Sequence, residues 1–184
     1  MNEIELNKEF EKFKEILDSI ITVEYGLDHF MVTMDSVIYP LEKLKFICLK
    51  NQLLEVDEIE NLSNLNKEEL YKFCDELKKM IKNDFLGKLK DEGLEIKFNS
   101  EEKFFDIYDY IMRTNVALNT FSDRYFELVI FQVDKLKFTC LKYQLLEIDE
   151  IENLDHLNKK ELYKFCDELE DDITNEFIDS FLNS

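Results

Sequence analysis

The sequence predicts an all-α protein built from two copies of a helical unit of about 92 residues, with about four helices in each copy. Three observations support this fold class. The 184 residues include only three glycines and one proline, whereas a β-sandwich or barrel needs turn residues about every 8–12 positions. Apolar residues recur at three- and four-residue spacing near both ends of each half. The segment 43–77 returns at 29 of 35 positions in the segment 135–169.

A shift of 92 residues, half of the chain, aligns the two copies without an insertion. The same register holds outside the near-identical passage, where Phe13 meets Phe105. We therefore interpret the chain as a tandem duplication, with repeat 1 at residues 1–92 and repeat 2 at residues 93–184. The segment from Gly87 to Gly93 holds two of the three glycines and is typical of a linker. A duplicated unit favours packing with pseudo-two-fold symmetry, in which one chain imitates a homodimer.

The first predicted helix of each repeat follows a capping residue. Asn7 is a suitable N-cap in repeat 1, as is Asn99 or Ser100 in repeat 2. The helices are expected to cover about residues 8–22 and 100–114, and the apolar spacing in repeat 1 indicates one buried stripe. The residues of this stripe are Phe10, Phe13, Ile16, Leu17, Ile20 and Ile21.

The middle of each repeat allows two interpretations. KLKFICLK, residues 43–50, alternates briefly as a strand would, but LKNQLLEV, which overlaps its end, has no strand period. We favour a helix over the alternative strand, because a lone hairpin would need turn residues that are absent. Pro40 is expected to separate this helix from the one before it. Gln132 stands at the equivalent position of repeat 2, so the two helices there are expected to merge or to bend more gently.

The last predicted helix of each repeat has the clearest start signal. In LNKEEL, Asn66 is a good N-cap, and Glu69, three residues on, completes a capping box. LNKKEL repeats the pattern in the second copy. Beyond the cap, the spacing predicts one buried apolar face, which includes Phe73, over residues 70–85 and again over residues 162–177.

Few side chains have the spacing of a catalytic or metal site. His29 and His156 do not match between the repeats, and neither lies in a metal-binding motif. The chain has no P-loop, GxGxxG or GxSxG motif. We therefore expect no catalytic residue, no cofactor and no metal, in a protein that is not an enzyme. The cysteines lie among apolar helical neighbours, and we interpret them as buried thiols rather than disulfides or metal ligands. They are Cys48, Cys74, Cys140 and Cys166.

The formal net charge of −19 restricts the partners. Direct binding to nucleic acid or to an anionic membrane is disfavoured, because both depend on Lys and Arg. The sequence shows no N-terminal signal segment and no apolar run of the ~20 residues that cross a bilayer. We therefore expect a cytoplasmic monomer or dimer that binds a basic protein, and a nucleic-acid-binding enzyme or nuclease would be such a partner.

The near-identical passage contains the candidate binding residues. Its copies agree at 29 of 35 positions, whereas residues 1–42 and 93–134 agree at only 8 of 42. Core packing does not account for this excess, since cores tolerate swaps of similar volume. We interpret the acidic residues of the passage as a surface used twice to bind Lys and Arg; the alternatives are a solvated face without a partner and partial gene conversion. Acidic cluster 1 consists of Glu55, Asp57, Glu58, Glu60, Asp75 and Glu76, and acidic cluster 2 of Glu147, Asp149, Glu150, Glu152, Asp167 and Glu168.

The amount of charge suggests what such a surface imitates. A compact chain of this length measures roughly 40 Å across, and duplex DNA of that length carries about 24 phosphate charges. The leading hypothesis is an inhibitor that occupies a basic nucleic-acid-binding surface of another protein, as small acidic inhibitors of restriction and CRISPR enzymes do. The alternatives are an immunity or antitoxin protein that neutralises a basic toxin, a helical scaffolding module, and a helical enzyme with an unrecognised site.

Overall fold

The computed structural model of the chain describes residues 3–29, 35–92, 98–120 and 126–182. Within these ranges the protein is helical and contains no strand, so the predicted all-α class is confirmed. The contacts divide the chain into two compact units, unit 1 at Met1–Gly93 and unit 2 at Leu94–Ser184. The tandem duplication with pseudo-two-fold packing stays a prediction.

Each unit has four described α-helices and one 3₁₀ turn in the same order. Unit 1 contains α1 (Glu3–His29), α2 (Asp35–Lys50), α3 (Val56–Asn61), the 3₁₀ turn Leu62–Asn64 and α4 (Lys67–Asp91). Unit 2 contains α5 (Phe98–Thr120), α6 (Phe126–Lys142), α7 (Ile148–Asn153), the 3₁₀ turn Leu154–His156 and α8 (Lys159–Leu182). KLKFICLK lies in α2 and its copy in α6, so the helical interpretation of this segment is confirmed.

In unit 1 the long helix α1 packs against both α2 and α4. All six residues of its predicted apolar stripe are buried. The ring of Phe13 stacks on that of Phe85 from α4, with 4.9 Å between their centroids, and Phe10 lies 5.9 Å from the same ring. Stacked aromatic pairs add to the free energy gained by burying apolar area. These ring contacts therefore stabilise the packing of α4 on α1 at this end of the unit.

In unit 2 the helix α5 packs against both α6 and α8. Phe177 stands at the position equivalent to Phe85, and its ring stacks on that of Phe104 with 4.3 Å between centroids. The residue equivalent to Phe13 is Phe105, which meets Phe177 edge-on at 6.1 Å instead. The two cores thus keep the same helix contacts with different side chains, as expected of apolar cores that are similar in volume.

The capping boxes predicted for the last helix of each unit are present. The backbone N–H of Asn66 donates to Glu69 Oε2 at 2.8 Å, and the N–H of Glu69 donates to Asn66 Oδ1 at 3.1 Å. Asn158 and Glu161 make the same two bonds at 2.8 and 3.1 Å. These reciprocal bonds satisfy donors that a helix start leaves unpaired, so the sequence signal located α4 and α8 correctly.

The first helix of each unit begins earlier than predicted. The helix α1 begins at Glu3, so Asn7 lies inside it and the predicted N-cap is wrong. The buried side chain of Leu6 extends the apolar stripe toward the N-terminus, which gives the helix a packing reason to start there. The helix α5 begins at Phe98, and the predicted caps at positions 99 and 100 lie in its first turn.

Pro40 does not separate two helices, and that prediction is wrong. It lies in the second turn of α2, which begins at Asp35. So close to the N-terminus, proline removes a single helical hydrogen bond, to the carbonyl of residue 36. The adjacent Leu41 is buried and keeps this part of α2 on the core. Gln132 likewise lies inside α6, so no boundary falls there in unit 2 either.

The predicted linker at residues 87–93 is helical for most of its length. The helix α4 continues to Asp91. Its reason to continue is Leu89, which is fully buried and follows Phe85 by four residues on the same apolar face. Two lysines in the last turn also suit the negative end of the helix dipole. Burial of Leu89 therefore outweighs the tendency of Gly87 to end the helix. Gly93 lies outside the described residues.

Lysines at the ends of α2 and α6 contact the central helices. Lys50 Nζ lies 2.8 Å from Glu15 Oε1, and the equivalent Lys142 lies 2.7 Å from Asp106 Oδ2. The hydroxyl of Tyr143 also donates to Asp106, at 2.6 Å. Partial burial alone would raise the pKa of Asp106, but the hydrogen bonds from Lys142 and Tyr143 outweigh it and hold that pKa below its ordinary value.

A glutamine with positive φ follows the C-terminal end of α2 and of α6. Gln52 and Gln144 both have a φ of 55°. The N–H of Leu53 donates to the Cys48 carbonyl at 2.9 Å, and that of Gln52 donates to the Leu49 carbonyl at 3.1 Å. This is the bonding of a Schellman motif, in which glycine is the usual residue at the positive-φ position. The motif therefore forms here with a side chain that the backbone conformation disfavours.

We expect Gln52→Gly to raise the free energy of unfolding by roughly 0.5–1 kcal/mol, and Gln144→Gly to do the same, because glycine adopts positive φ without the steric cost of a Cβ. Chemical denaturation measures the change. Gln52→Ala is the matched control and should give no gain, because alanine keeps the Cβ. A glycine variant less stable than the parent would mean that the glutamine side chain contributes more than the strain costs.

One ion pair of unit 1 is buried between α1 and α4. The Lys78 ammonium donates to Glu24 Oε2 at 2.5 Å. Only 9% of the Glu24 side chain and 22% of the Lys78 side chain are exposed. The equivalent positions of unit 2 hold Val116 and Glu170. Unit 2 therefore has no Lys–Glu pair at the positions of this contact.

We expect Lys78→Met to lower the free energy of unfolding by about 3 kcal/mol, because it takes the ammonium away from a buried carboxylate. Urea denaturation followed by circular dichroism measures the loss. The double variant Glu24→Gln with Lys78→Met should recover much of it. Glu170→Met, at the equivalent position of α8, is the control and should change stability by less than about 0.5 kcal/mol. If Lys78→Met and Glu170→Met lowered the free energy of unfolding by the same amount, a specific role of the buried pair would be contradicted.

Candidate functional site: two acidic surfaces

All twelve residues of the two acidic clusters are exposed. In unit 1 they occupy the start and body of α3 and one stretch of α4. In unit 2 they occupy the same places on α7 and α8. The clusters therefore lie on the surface as predicted, although whether they bind a partner stays a prediction.

Part of each cluster holds its own short helix in place. The N–H of Glu55 donates to Glu58 Oε2 at 2.8 Å, and the N–H of Glu147 donates to Glu150 Oε2 at 2.8 Å. Acidic residues in the first turn also suit the positive end of the helix dipole. The identity of the repeats at these four capping positions, Glu55, Glu58, Glu147 and Glu150, thus has a structural reason. The other exposed acids of α3 and α7 are not explained by capping.

Acidic cluster 1 borders an apolar groove of about 360 Å³ between α3 and α4. Glu58 and Glu76, which come from different helices, both line it, so the structure brings these two predicted residues together. Phe73 was predicted in the core but is half-buried and belongs to this lining. A groove with an apolar floor and carboxylates beside it fits an apolar side chain flanked by Lys or Arg. The apolar lining consists of Leu54, Leu62, Leu65, Phe73, Leu77 and Met80.

The two acidic surfaces differ in charge. The helix α4 carries seven lysines against six carboxylates, a net charge of +1. The helix α8 carries three lysines against eight carboxylates, a net charge of −5. Most of the difference arises where Lys78, Lys79 and Met80 of α4 are replaced by the segment 170–172, Glu-Asp-Asp, of α8. Acidic cluster 2 therefore continues along α8, whereas acidic cluster 1 is interrupted by lysines.

Lysines of α4 also pair with the acids of cluster 1. Lys79 Nζ lies 2.6 Å from Asp75 Oδ2, and this hydrogen bond raises the pKa of Lys79. Lys72 Nζ lies 3.8 Å from Glu76 Oε1, and the equivalent pair of unit 2, Lys164 and Glu168, has its atoms 3.0 Å apart. In α8 the residue four positions after Asp167 is an aspartate, so the counterpart of the first pair does not form. Cluster 2 is thus the less neutralised of the two.

Sequence reasoning missed the acidic run Glu170, Asp171 and Asp172. Asp171 and Asp172 are exposed and Glu170 is half-buried. The prediction rested on positions that are identical in the two repeats, and these three are not. Comparing the charges at the non-identical positions of the aligned repeats would have found the run.

The cysteines are buried free thiols, as predicted. Burial raises the pKa of Cys48 to about 11, and that of Cys140 to about 12. Burial is also the main reason that the pKa values of Cys74 and Cys166 rise to about 12. Thiols in this state are protonated at neutral pH and are poor nucleophiles and metal ligands. His156 is exposed in its 3₁₀ turn, while the side chain of His29 lies outside the described residues.

The described residues and the comparisons with known proteins add no assigned activity. Among the described residues, no three His, Cys, Asp or Glu side chains are grouped so that they could hold a metal ion. None of the described helices has the length and apolarity that crossing a membrane requires. No protein-family model matches the sequence, and comparisons with curated proteins and with solved structures give no significant match. The functional inference therefore depends on the surfaces of the two units.

We expect the thiols of the folded protein to resist a maleimide at pH 8 and to react after unfolding, because burial blocks access and keeps them protonated.

Because the thiol pKa values are raised in the folded state, we also expect the free energy of unfolding to depend on pH. The stability they contribute is present below the ordinary thiol value of 9.0 and is lost as pH rises toward 11 or 12. Denaturation at pH 7 and pH 10 measures this loss.

The variant with all four cysteines replaced by alanine is the control for the thiol experiment. It should be less stable at pH 7 but should lose less stability between pH 7 and pH 10 than the parent. Fast labelling of any of these thiols in the native protein would contradict the burial that the structure shows.

Proposed function

We propose that this protein is a non-enzymatic binding protein whose acidic surfaces bind a basic protein partner, and that it inhibits this partner by occupying its nucleic-acid-binding surface. The observation that carries the proposal is the charge of α7 and α8. The short helix α7 has three carboxylates and no lysine, and α8 has a net charge of −5. Surface charge of one sign attracts Lys and Arg and speeds association.

The spacing of the charges on α8 supports imitation of a nucleic-acid strand. The helix has 24 residues, so it is about 36 Å long at about 1.5 Å per residue. Its eight carboxylates therefore follow one another about every 4.5 Å along the axis. A DNA strand carries one phosphate per about 3.4 Å. With its three lysines counted, α8 has a net charge of −5, or one negative charge per about 7 Å, so a groove that tracks a phosphate backbone with Lys and Arg would meet roughly half the charge density of one strand on this helix.

The two acidic surfaces are expected to contribute unequally. On the unit 1 surface, Lys79 pairs with a cluster acid and has no counterpart in unit 2, and the apolar groove there offers room for an anchor side chain. On the unit 2 surface, Asp172 stands where the groove of unit 1 has Met80. Unit 2 is therefore suited to long-range attraction, and unit 1 to a contact that includes apolar burial.

We also propose that the two units arose as copies of one duplicated unit. The order of the helices, the φ of 55° at Gln52 and Gln144, and the capping boxes at Asn66 and Asn158 all recur at the 92-residue shift. These local features support duplication because they recur in backbone conformation as well as in sequence. Pseudo-two-fold packing of the copies is part of the same proposal.

We expect reversal of acidic charge in unit 2 to weaken binding more than the same reversal in unit 1. The variants replace three exposed acids with lysine and leave the capping glutamates intact. The loss should appear in the association rate, by about tenfold or more, and in a weaker salt dependence. Folding should be preserved, because exposed charges contribute little to stability. The substituted residues are Asp149, Glu152 and Asp167 in unit 2, and Asp57, Glu60 and Asp75 in unit 1.

The partner for this measurement is captured from a host lysate at low salt, released at high salt and identified by mass spectrometry. Competition with a duplex oligonucleotide then shows whether the protein occupies the partner's nucleic-acid-binding surface. A matched control reverses Glu5, Glu11 and Asp91, which are exposed but lie outside both clusters, and should have the smallest effect. If no basic protein is retained, or if the control weakens binding as much as the cluster variants, the proposed function is wrong.

A further inference from the structure

Large apolar side chains are exposed at the same positions of the two units. Ten of the eleven exposed large apolar residues in the described part of the chain form five pairs related by the 92-residue shift. Eight of them lie on α2 and α6, and these two sets are named apolar face 1 and apolar face 2. Face 1 consists of Ile38, Tyr39, Phe46 and Leu49, and face 2 of Ile130, Phe131, Phe138 and Leu141.

Each apolar face lies on the side of its helix away from the unit's core. In α2, Leu44, Ile47 and Cys48 are buried, and the helix packs on α1. Tyr39, which is 81% exposed, and Phe46, which is 65% exposed, are separated by seven residues and so share the other side of the helix. A contiguous exposed apolar surface marks an interaction site.

Divergence of the repeats has not removed these exposed residues. The first 42 residues of the repeats agree at only 8 positions, yet Ile38 matches Ile130 there, and Tyr39 matches another aromatic residue, Phe131. An exposed apolar side chain adds little to folding, so a polar replacement would have cost little stability. Its presence in both units therefore indicates a contact that both faces make.

The charge of the two faces disfavours a basic partner. The helices α2 and α6 each carry three lysines against two carboxylates, a net charge of +1, in a chain of −19. Two copies of this chain repel one another over most of their surface at low salt. The repulsion is reduced where α2 or α6 meets a second copy, because these helices are not acidic.

Face 1 is complementary to itself. Glu42 and Lys43 are both exposed and stand side by side between Tyr39 and Phe46. An antiparallel contact about a two-fold axis between positions 42 and 43 brings Tyr39 of one copy to Phe46 of the other. The same axis brings Glu42 to Lys43, which gives the self-complementarity that a two-fold interface requires. The corresponding residues of face 2 are Phe131, Asp134, Lys135 and Phe138.

We propose that a second copy of this chain covers these faces, so that the protein self-associates through α2 and α6. This inference does not depend on the acidic surfaces or on the proposed function. The exposed parts of Tyr39 and Phe46 offer roughly 300 Å² of apolar area on face 1 alone. A standard interface buries roughly 800 Å² on each partner. Two faces with their aliphatic neighbours are of that order, so we expect self-association to use both faces.

The mass of the purified full chain in solution tests the inference. Light scattering and sedimentation over a range of concentrations should show a species of twice 22.2 kDa. Phe46→Glu combined with Phe138→Glu should abolish this species, because it places charge in both apolar contacts. The helical circular dichroism signal should be unchanged, since these side chains are 65% and 70% exposed. Met80→Glu, at an exposed apolar position of α4, is the control and should leave the dimer intact.

A charge-swap series separates self-association from binding to another protein. Lys43→Glu combined with Lys135→Glu should weaken the dimer severalfold, because like charges then face one another. Adding Glu42→Lys and Asp134→Lys should restore it, since each swapped face again complements a second copy of itself. Binding to a different protein, whose own charges are unchanged, would not be restored by the second pair of substitutions.

Three results would overturn the inference. The first is a mass of 22.2 kDa for the parent protein at every concentration. The second is a dimer that survives the combined Phe46→Glu and Phe138→Glu substitutions in a folded chain. The third is a parent chain that stays monomeric while these faces bind a different protein.

Discussion

The structure of each unit depends on the burial of one long helix between two others. In unit 1 this helix is α1, whose apolar stripe fixes the rotation of both α2 and α4 about their own axes. Because packing commits one side of α2 to the core, Tyr39 and Phe46 are left on the other side. The contact of Phe13 with Phe85 fixes α4 in the same way and leaves its acidic residues outside. The outward surfaces are therefore consequences of the core.

The structure keeps charged and apolar surfaces on different helices. The acids of the two clusters lie on the short third helix and on the last helix of each unit, and the exposed apolar residues collect mainly on the second. Long-range electrostatic attraction governs how fast two proteins meet, whereas apolar contacts and close packing govern how long they stay together. Separate surfaces allow these two properties to change independently.

Periodic apolar patterns and the capping box predicted the helical fold, the buried stripe and the starts of α4 and α8. The errors came from single-residue signals that tertiary packing outweighed. Leu6, Leu41 and Leu89 are buried, and each carries a helix past a residue expected to end or begin it. The end of α2 could not be predicted, because its positive φ falls on Gln52 rather than on glycine. At the candidate site, the exposure of the clusters was foreseeable from the sequence, whereas the groove depends on how α3 lies against α4.

The unequal charges of α4 and α8 show what a chain with two similar units can do that a symmetric dimer of one unit cannot. In a symmetric dimer every substitution appears on both surfaces at once. In this chain a lysine such as Lys79 stands in one unit while the aspartate Asp171 stands at the matching place of the other. A single gene can therefore fit its two surfaces to two unlike sites on a target. Such a protein would bind in one orientation, whereas a symmetric dimer has two equivalent ones.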